Sequence, residues 1–199
     1  MTYIIIISLA ALLISLGCFL FEGVYTLRAF FVLLLGTGIE IAAVLAIDGV
    51  LAFVIRRLPE GWFSPDKKIF SVSAREVLLY RRLWISKWKK HIPELGCFTG
   101  FHKDHILEPR NVAYIGRFLL ESNYGVAGHI AGAVGGFLLL LLPSRRIGFF
   151  VALVNFILNL LPTAVLRSNT LSLSRVYQRL LSREAQKNGE NALLCEKKR

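Results

Sequence analysis

The sequence predicts an all-α integral membrane protein, a four-helix bundle with an amphipathic helical segment on the cytoplasmic side between spans two and three. Hydrophobic residues make up 55% of the 199-residue chain, and the mean hydropathy is +0.57. These values are too apolar for a soluble domain of this size. The apolar residues also fall in long runs with Lys and Arg concentrated between them, as membrane topology requires.

Four apolar runs have the length of membrane-spanning helices. The first run carries no charge, and it is predicted to be a retained helix rather than a signal peptide because no Lys or Arg precedes it. The second is interrupted by Glu40 and Asp48. The predicted spans are residues 3–21, 29–55, 120–142 and 147–166.

The distribution of positive charge predicts the topology. Residues 56–110 carry twelve Lys or Arg against six Asp or Glu, and residues 167–199 carry eight against three. The positive-inside rule places both segments in the cytoplasm, with two spans on each side of the loop. The chain is therefore predicted to be a multi-pass protein of the cell membrane with both termini cytoplasmic. Only the turn at Arg145 and Arg146 lies against the rule.

Two polar segments have amphipathic patterns. Residues 70–91 alternate apolar and basic side chains, which is typical of a helix in the headgroup layer, although a cap packed on the bundle would show the same pattern. Residues 171–181 predict a second interfacial helix. The organisation is thus one transmembrane domain over residues 1–181, followed by a polar tail, 182–199, with the composition of a disordered segment.

Several classes of function are excluded or unsupported. The net charge of +11 does not indicate nucleic-acid binding, because the cations lie between apolar runs and not in a recognition motif. The three cysteines are far apart and lack metal-ligand spacing. A polar cluster at 102–105 has no further ligand set nearby. No metal, cofactor or nucleic-acid partner is predicted.

Polar side chains inside the spans are the candidates for function, because ionisable groups are costly in hydrocarbon. Asp48, His129 and Asn159 each lie eight residues from the cytoplasmic end of a span, which is about 12 Å deep at 1.5 Å per residue. Glu121 and His129 are about 80° apart around their helix, so Asp48 is the better acidic partner for His129. The shared depth predicts a site.

A structural role is the alternative for each of these groups. A membrane histidine can join helices by a hydrogen bond, as can Asn155 and Asn159 at i, i+4. The glycines at 128, 132 and 136 can allow close helix packing, the commoner outcome, or leave a groove for a lipid chain. Glu40 is too deep for the cytoplasmic site.

Four motifs along residues 48–181 carry a family resemblance. They are I-x-x-W-K-x-x-x-P-x-x-G at 85–96, G-F-x-K at 100–103, F-x-x-E followed by His129 at 118–129, and Asn159-Leu160-Leu161-Pro162 with Arg167 and Asn169. Together they resemble the glycosyl-diaponeurosporenoate acyltransferase-like membrane proteins. Two parts of the family pattern differ: its Arg-Ala-Glu is Tyr-Gly-Val at 124–126, and Leu166 and Ser168 flank the arginine.

The resemblance implies an enzyme of carotenoid biosynthesis that transfers a fatty acyl group to a sugar hydroxyl of a lipid-linked glycoside. The expected partners are a membrane lipid or glycolipid acceptor and an acyl donor, either acyl-CoA or an acyl carrier protein. His129 would be the general base, supported by Asp48 or Glu121, with Arg167 holding an anionic group of the donor. The substrate-binding candidates are Asn159, Arg167, Asn169, Trp88, Lys89 and Lys103.

A second hypothesis is a non-enzymatic membrane protein, either a transporter component or a scaffold for a lipid-modifying complex. Glu40, Asp48, Glu121 and His129 would then form a proton or ion path. The deep position of Glu40 and the missing Arg-Ala-Glu favour this alternative. The oligomeric state is left open by the sequence.

Overall fold

The computed structural model of the chain describes residues 2–23, 25–89 and 106–196, and every regular element in these ranges is helical. The predicted all-α class is confirmed. The helices are α1 (Thr2–Glu22), α2 (Leu27–Arg56), α3 (Ala74–Arg82), α4 (Ile85–Trp88), α5 (Val112–Gly135) and α6 (Arg145–Glu196). Short 3-10 segments occur at Glu60–Trp62, Lys68–Phe70 and Gly136–Leu141.

Three helical stretches in the described part are long and apolar enough to cross a membrane. They are Leu27–Arg56, Val112–Leu141 and the apolar part of Arg145–Gly189. Ile5–Phe21 of α1 forms a shorter apolar helix. The second, third and fourth predicted spans are therefore helices of spanning length, while the count of four spans and the topology stay predictions.

The first compact unit consists of Met1–Leu58 and Ala127–Thr163. Its apolar core joins α1, α2 and α6 through side chains that include Cys18, Val44 and Val151. A hydrogen bond of 3.0 Å between the buried hydroxyls of Ser15 and Thr37 links α1 to α2. Small polar pairs of this kind help membrane helices to associate, because lipid tails are as apolar as the side chains and supply no hydrophobic driving force.

The second unit consists of Pro59–Val126 and Ala164–Arg199. Its core packs Ile115, Phe118 and Leu119 of α5 against Leu173 of α6. Ser73 caps α3 in a capping box, in which Glu76 accepts from the Ser73 amide and the Ser73 hydroxyl accepts from the Glu76 amide. This S-x-x-E pattern explains why α3 begins at Ala74.

The segment predicted as one amphipathic helix over residues 70–91 differs in the structure. Extended backbone at Ser71 and Ser73 precedes α3, and Trp84 adopts a left-handed conformation with φ of 53° that separates α3 from α4. The Trp88 indole N–H donates to the Leu83 carbonyl at 2.8 Å and so satisfies a group that the helix end leaves unpaired. Hydrophobic periodicity could not show this interruption, because it arises from the backbone conformation of a single residue. Lys90 and the rest of that segment lie outside the described residues.

Helix α6 also differs from the prediction. The sequence predicted a span ending near residue 166, a separate interfacial helix over 171–181 and a polar tail, whereas one helix runs from Arg145 to Glu196 and includes Pro162. Leu173, Tyr177 and Leu180 pack against α5. This contact stabilises helix beyond the apolar segment, a tertiary contribution that local composition does not report.

Candidate active site

A polar cluster in the first unit is assembled from three helices. Asp48 comes from α2 and His129 from α5, while Asn155 and Asn159 lie one turn apart on α6. Three of these side chains are the ones that the sequence placed at one depth. The fourth, Asn155, is 7% exposed and is the most buried of them.

The histidine of this cluster contacts an amide and not the carboxyl group. His129 Nδ1 lies 2.9 Å from Asn159 Oδ1. The Asn159 Nδ2 group lies 3.2 Å from Asp48 Oδ2 and 3.1 Å from each of the two oxygens of Asn155. Since only the amide nitrogen can donate, these acceptors determine the orientation of the Asn159 amide and direct its oxygen towards His129.

This orientation determines the tautomer of His129. A hydrogen bond to the Asn159 oxygen requires a proton on Nδ1, so in the neutral imidazole the lone pair lies on Nε2. A histidine held in this way can accept a proton at Nε2 and be stabilised at Nδ1 as the charge forms. The structure thus brings Asp48, Asn159 and His129 into one chain of hydrogen bonds, with Asn159 in the middle.

Asn155 organises the other members of the cluster. Its Nδ2 group donates to the Gly132 carbonyl at 3.1 Å and to Asp48 Oδ1 at 3.4 Å, and its Oδ1 accepts from Asn159. Both carboxyl oxygens of Asp48 therefore accept from α6 amides. Sequence reasoning considered Asn155 only as a possible link between helices, and its spacing of four residues from Asn159 was the available indication of a shared face.

Glycines of α5 and of the 3-10 segment that follows it make room for these polar side chains. A Cβ atom on Gly132 would lie 2.8 Å from Asp48 Oδ1, and one on Gly136 would lie 2.8 Å from Asn155 Nδ2. A Cβ atom on Gly128 would meet nothing within 4 Å. The spacing of four residues thus supports close packing at two of its three positions, and what packs there is the polar cluster.

The other predicted acid, Glu121, has a different environment in the second unit. Its carboxyl group lies 2.8 Å from Arg117, one turn earlier on α5, and Arg117 also pairs with Glu60 at 2.7 Å. The Glu121 side chain is buried. This geometry gives Glu121 a cationic partner on its own helix.

The predicted anion-binding arginine, Arg167, is held by a carboxylate of the protein itself. Its Nε and Nη2 atoms lie 2.6 and 2.8 Å from the two oxygens of Glu76, and Nη2 also donates to the Ser71 carbonyl at 3.0 Å. The sequence did not single out Glu76 as a partner. The capping box around Ser73 located Glu76 on the first turn of a helix, but a contact across 91 positions has no local pattern.

Two side chains of α3 near Arg167, Glu76 and Tyr80, have shifted pKa values. The hydrogen bond from Arg167 lowers the pKa of Glu76 from 4.5 to about 2. Burial raises the pKa of Tyr80 to about 12, and the hydrogen bond that its hydroxyl donates to Glu76 at 2.7 Å contributes to the same shift. The Glu76–Arg167 pair therefore keeps its charges across the physiological pH range.

The remaining candidate residues belong to the second unit, and one of them lies outside the described residues. Lys89 Nζ donates to Asn169 Oδ1 at 2.9 Å, which joins two of the substrate-binding candidates. Trp88 donates to Leu83, as described above. Lys103 lies outside the described residues. Within the described part of the chain, no group of three or more His, Cys, Asp or Glu side chains could hold a metal ion.

These features define a helical protein with helices long enough to span a membrane and a partly buried His–Asn–Asp network among three of them. The sequence model of the glycosyl-4,4'-diaponeurosporenoate acyltransferase family matches residues 59–179, more than half of the chain. The chain belongs to this family, as the motifs predicted, and membership supports an acyltransferase role. No curated protein and no solved structure matches the chain.

Proposed function

We propose that this protein is a membrane acyltransferase that transfers a fatty acyl group to a hydroxyl of a lipid-linked glycoside at the cytoplasmic leaflet. The observation that supports this most directly is the hydrogen bond between His129 Nδ1 and Asn159 Oδ1, in a network that ends at Asp48. This arrangement prepares Nε2 to act as a base, which hydroxyl acylation needs near neutral pH.

In the proposed reaction, His129 Nε2 takes the proton of the acceptor hydroxyl as its oxygen attacks the carbonyl carbon of an acyl thioester. The tetrahedral intermediate then collapses, the carbon–sulfur bond breaks, and the imidazolium returns the proton to the leaving thiolate. The products are an ester and a free thiol. The Asn159 oxygen holds the Nδ1 proton throughout, and Asp48 and Asn155 hold Asn159.

The proposal assigns the two acids and the arginine as follows. Asp48 supports His129 through Asn159, whereas Glu121 pairs with Arg117. Asn159, a substrate-binding candidate in the sequence, positions the histidine instead, because its N–H groups face Asp48 and Asn155. Arg167 holds α3 through Glu76. Trp88, Lys89, Asn169 and Lys103 are retained as proposed substrate contacts.

The test replaces His129 with Ala and measures acylated and non-acylated glycolipid in membranes by mass spectrometry. A general base contributes roughly a hundredfold to ten-thousandfold, so we expect at least a hundredfold loss of acylated product at an unchanged protein level. Ile130→Ala is the matched control, because the neighbouring Ile130 side chain is 47% exposed. An unchanged product ratio in the His129→Ala membranes would reject the assignment.

Glu40 favours a second candidate function, proton or ion translocation. Its side chain is 3% exposed, and its Oε2 atom has no hydrogen-bond partner among the described residues. Buried carboxyl groups in spans are typical of proton pathways. In proteoliposomes, uptake driven by a pH gradient and abolished by Glu40→Gln would support this candidate. Uptake equal to that of empty liposomes would reject it.

A further inference from the structure

Helix α6 carries a basic stripe in the second unit that the proposed chemistry does not use. Arg175, Arg179, Arg183 and Lys187 recur at every fourth position, and all four side chains are exposed. Residues at this spacing lie on one face of a helix. None of the four forms an ion pair with another residue that the structure describes. The basic stripe therefore presents four unneutralised charges in a row.

Another face of the same helix is anchored. Leu173, Tyr177 and Leu180 pack against Ile115, Phe118 and Leu119 of α5. At 100° per residue these apolar positions lie about 140–200° around the helix from Arg175 and about 100–160° from Arg179, so the first half of the stripe faces away from the core of its unit. Arg183 and Lys187 follow Leu180, the last of these packed positions. Glu184 is the one acidic residue of α6 between Arg167 and Gly189. The charge is thus both concentrated and held on a rigid element.

The length of the stripe favours an elongated acidic partner. Its four charges extend over about 18 Å of helix, starting about 12 Å beyond Arg167, at 1.5 Å per residue. The headgroup layer on each side of a bilayer is only about 5–8 Å thick. A stripe that follows the membrane normal would extend past this layer, and one that lies in the membrane plane would not. An acidic protein helix laid along the stripe could pair with all four charges in either orientation.

We propose that the basic stripe is the docking surface for an acidic acyl carrier protein that delivers the fatty acyl thioester. This inference rests on the proposed acyltransferase function and names its donor. Charge complementarity between a basic helix and an acidic carrier accelerates encounter and determines orientation more than it adds affinity. The phosphate charges of the free nucleotide thioester, acyl-CoA, lie together at its nucleotide end, so they would engage only part of the stripe.

The test uses the full-length protein in nanodiscs and a purified fatty-acyl carrier protein as the probe. Dissociation constants are measured on the His129→Ala protein, in which the proposed reaction is blocked, for Arg175→Glu/Arg179→Glu and for Arg183→Glu/Lys187→Glu. The matched control, Arg81→Glu/Arg82→Glu, changes the charge equally at exposed positions of α3. We expect the dissociation constant to rise at least tenfold for each stripe variant and less than twofold for the control. Binding by the protein with an unchanged stripe should weaken steeply as salt is added.

Steady-state kinetics on the active protein with both donors complete the test. The KM for the acyl carrier protein should rise at least tenfold in the stripe variants, while the KM for acyl-CoA changes less than twofold. Equal binding by the stripe variants and the control overturns the proposal. An activity loss that instead follows the anionic lipid content of the nanodisc, with carrier binding unchanged, also overturns it and assigns the stripe to headgroups. Failure of the proposed function would appear separately, as wild-type turnover by His129→Ala.

Discussion

Replacing Glu76 with Gln should destabilise the protein by about 2 kcal/mol at neutral pH, after solvent screening is allowed for. The pKa of Glu76 falls from 4.5 to about 2, and at 1.36 kcal/mol per pKa unit this corresponds to about 3.4 kcal/mol. The Glu76 and Arg167 side chains are 27% and 15% exposed, so solvent reduces the full value. The variant also leaves Arg167, which is largely buried, without its charged partner.

The pH dependence follows from the sign of the shift. Because the folded pKa of Glu76 lies below its unfolded value, the contribution is fully present above about pH 4.5 and is lost as the pH falls towards about 2. Wild-type protein and Glu76→Gln should therefore differ most near pH 7 and converge in acid. Glu184→Gln, at an exposed position of α6, is the charge-matched control.

The measurement is reversible unfolding in detergent at pH 7, 4 and 3, monitored by the circular dichroism signal of the helices. A difference below about 0.5 kcal/mol at pH 7, the range of an ordinary surface pair, would refute the argument. A difference of about 2 kcal/mol that stays constant between pH 7 and 3 would refute the ionic origin, since the capping bond of Glu76 could be lost at any pH.

Two further predictions concern the polar cluster. Gly132→Ala should lower the free energy of unfolding by roughly 1–3 kcal/mol and reduce acyl transfer, because the new methyl group would meet Asp48. The control, Gly128→Ala, should leave both stability and acyl transfer nearly unchanged. Thermal unfolding and product assays compare the two variants, and equal effects would contradict the packing argument. In steady-state kinetics, Asn155→Leu should reduce kcat up to about a hundredfold with little change in KM, because Asn159 loses an orienting partner. A change in KM alone would assign Asn155 to substrate binding.

The spans were predictable because hydropathy is a local property of the chain. The second run, 29–55, corresponds to α2 within two residues at either end. The depth argument also selected Asp48, His129 and Asn159, because rise per residue is nearly constant in a helix. Depth leaves open how each helix is rotated, so it could not show that Asn159 lies between the other two.

The differences between prediction and structure in the polar segments have another cause. Trp84 interrupts the predicted amphipathic helix through backbone geometry at one residue. The α6 extension depends on Leu173 and Tyr177 packing against α5. The Glu76–Arg167 pair joins residues 91 positions apart. The first feature is the backbone conformation of a single residue and the other two arise from tertiary contact, and composition and periodicity encode neither.

The intervening amide of Asn159 has a consequence for the chemistry of His129. A carboxylate in direct contact would stabilise the imidazolium, a form that cannot accept a proton from the acceptor hydroxyl. The neutral Asn159 oxygen holds the same tautomer without that permanent bias. The charge that forms during proton transfer is then balanced by Asp48 at one remove, through the Asn159 amide. Asp48 lies before the family match at 59–179, while His129, Asn155 and Asn159 lie within it.

Because the neutral amide avoids a permanent charge on His129, we expect Asn159→Asp to impair acyl transfer. This variant places a carboxylate directly on His129 and beside Asp48, although it retains an acceptor for the Nδ1 proton. Acyl transfer at the wild-type rate by this variant, measured across pH 6–9, would show that direct charge on the histidine is tolerated and that the amide is only structural.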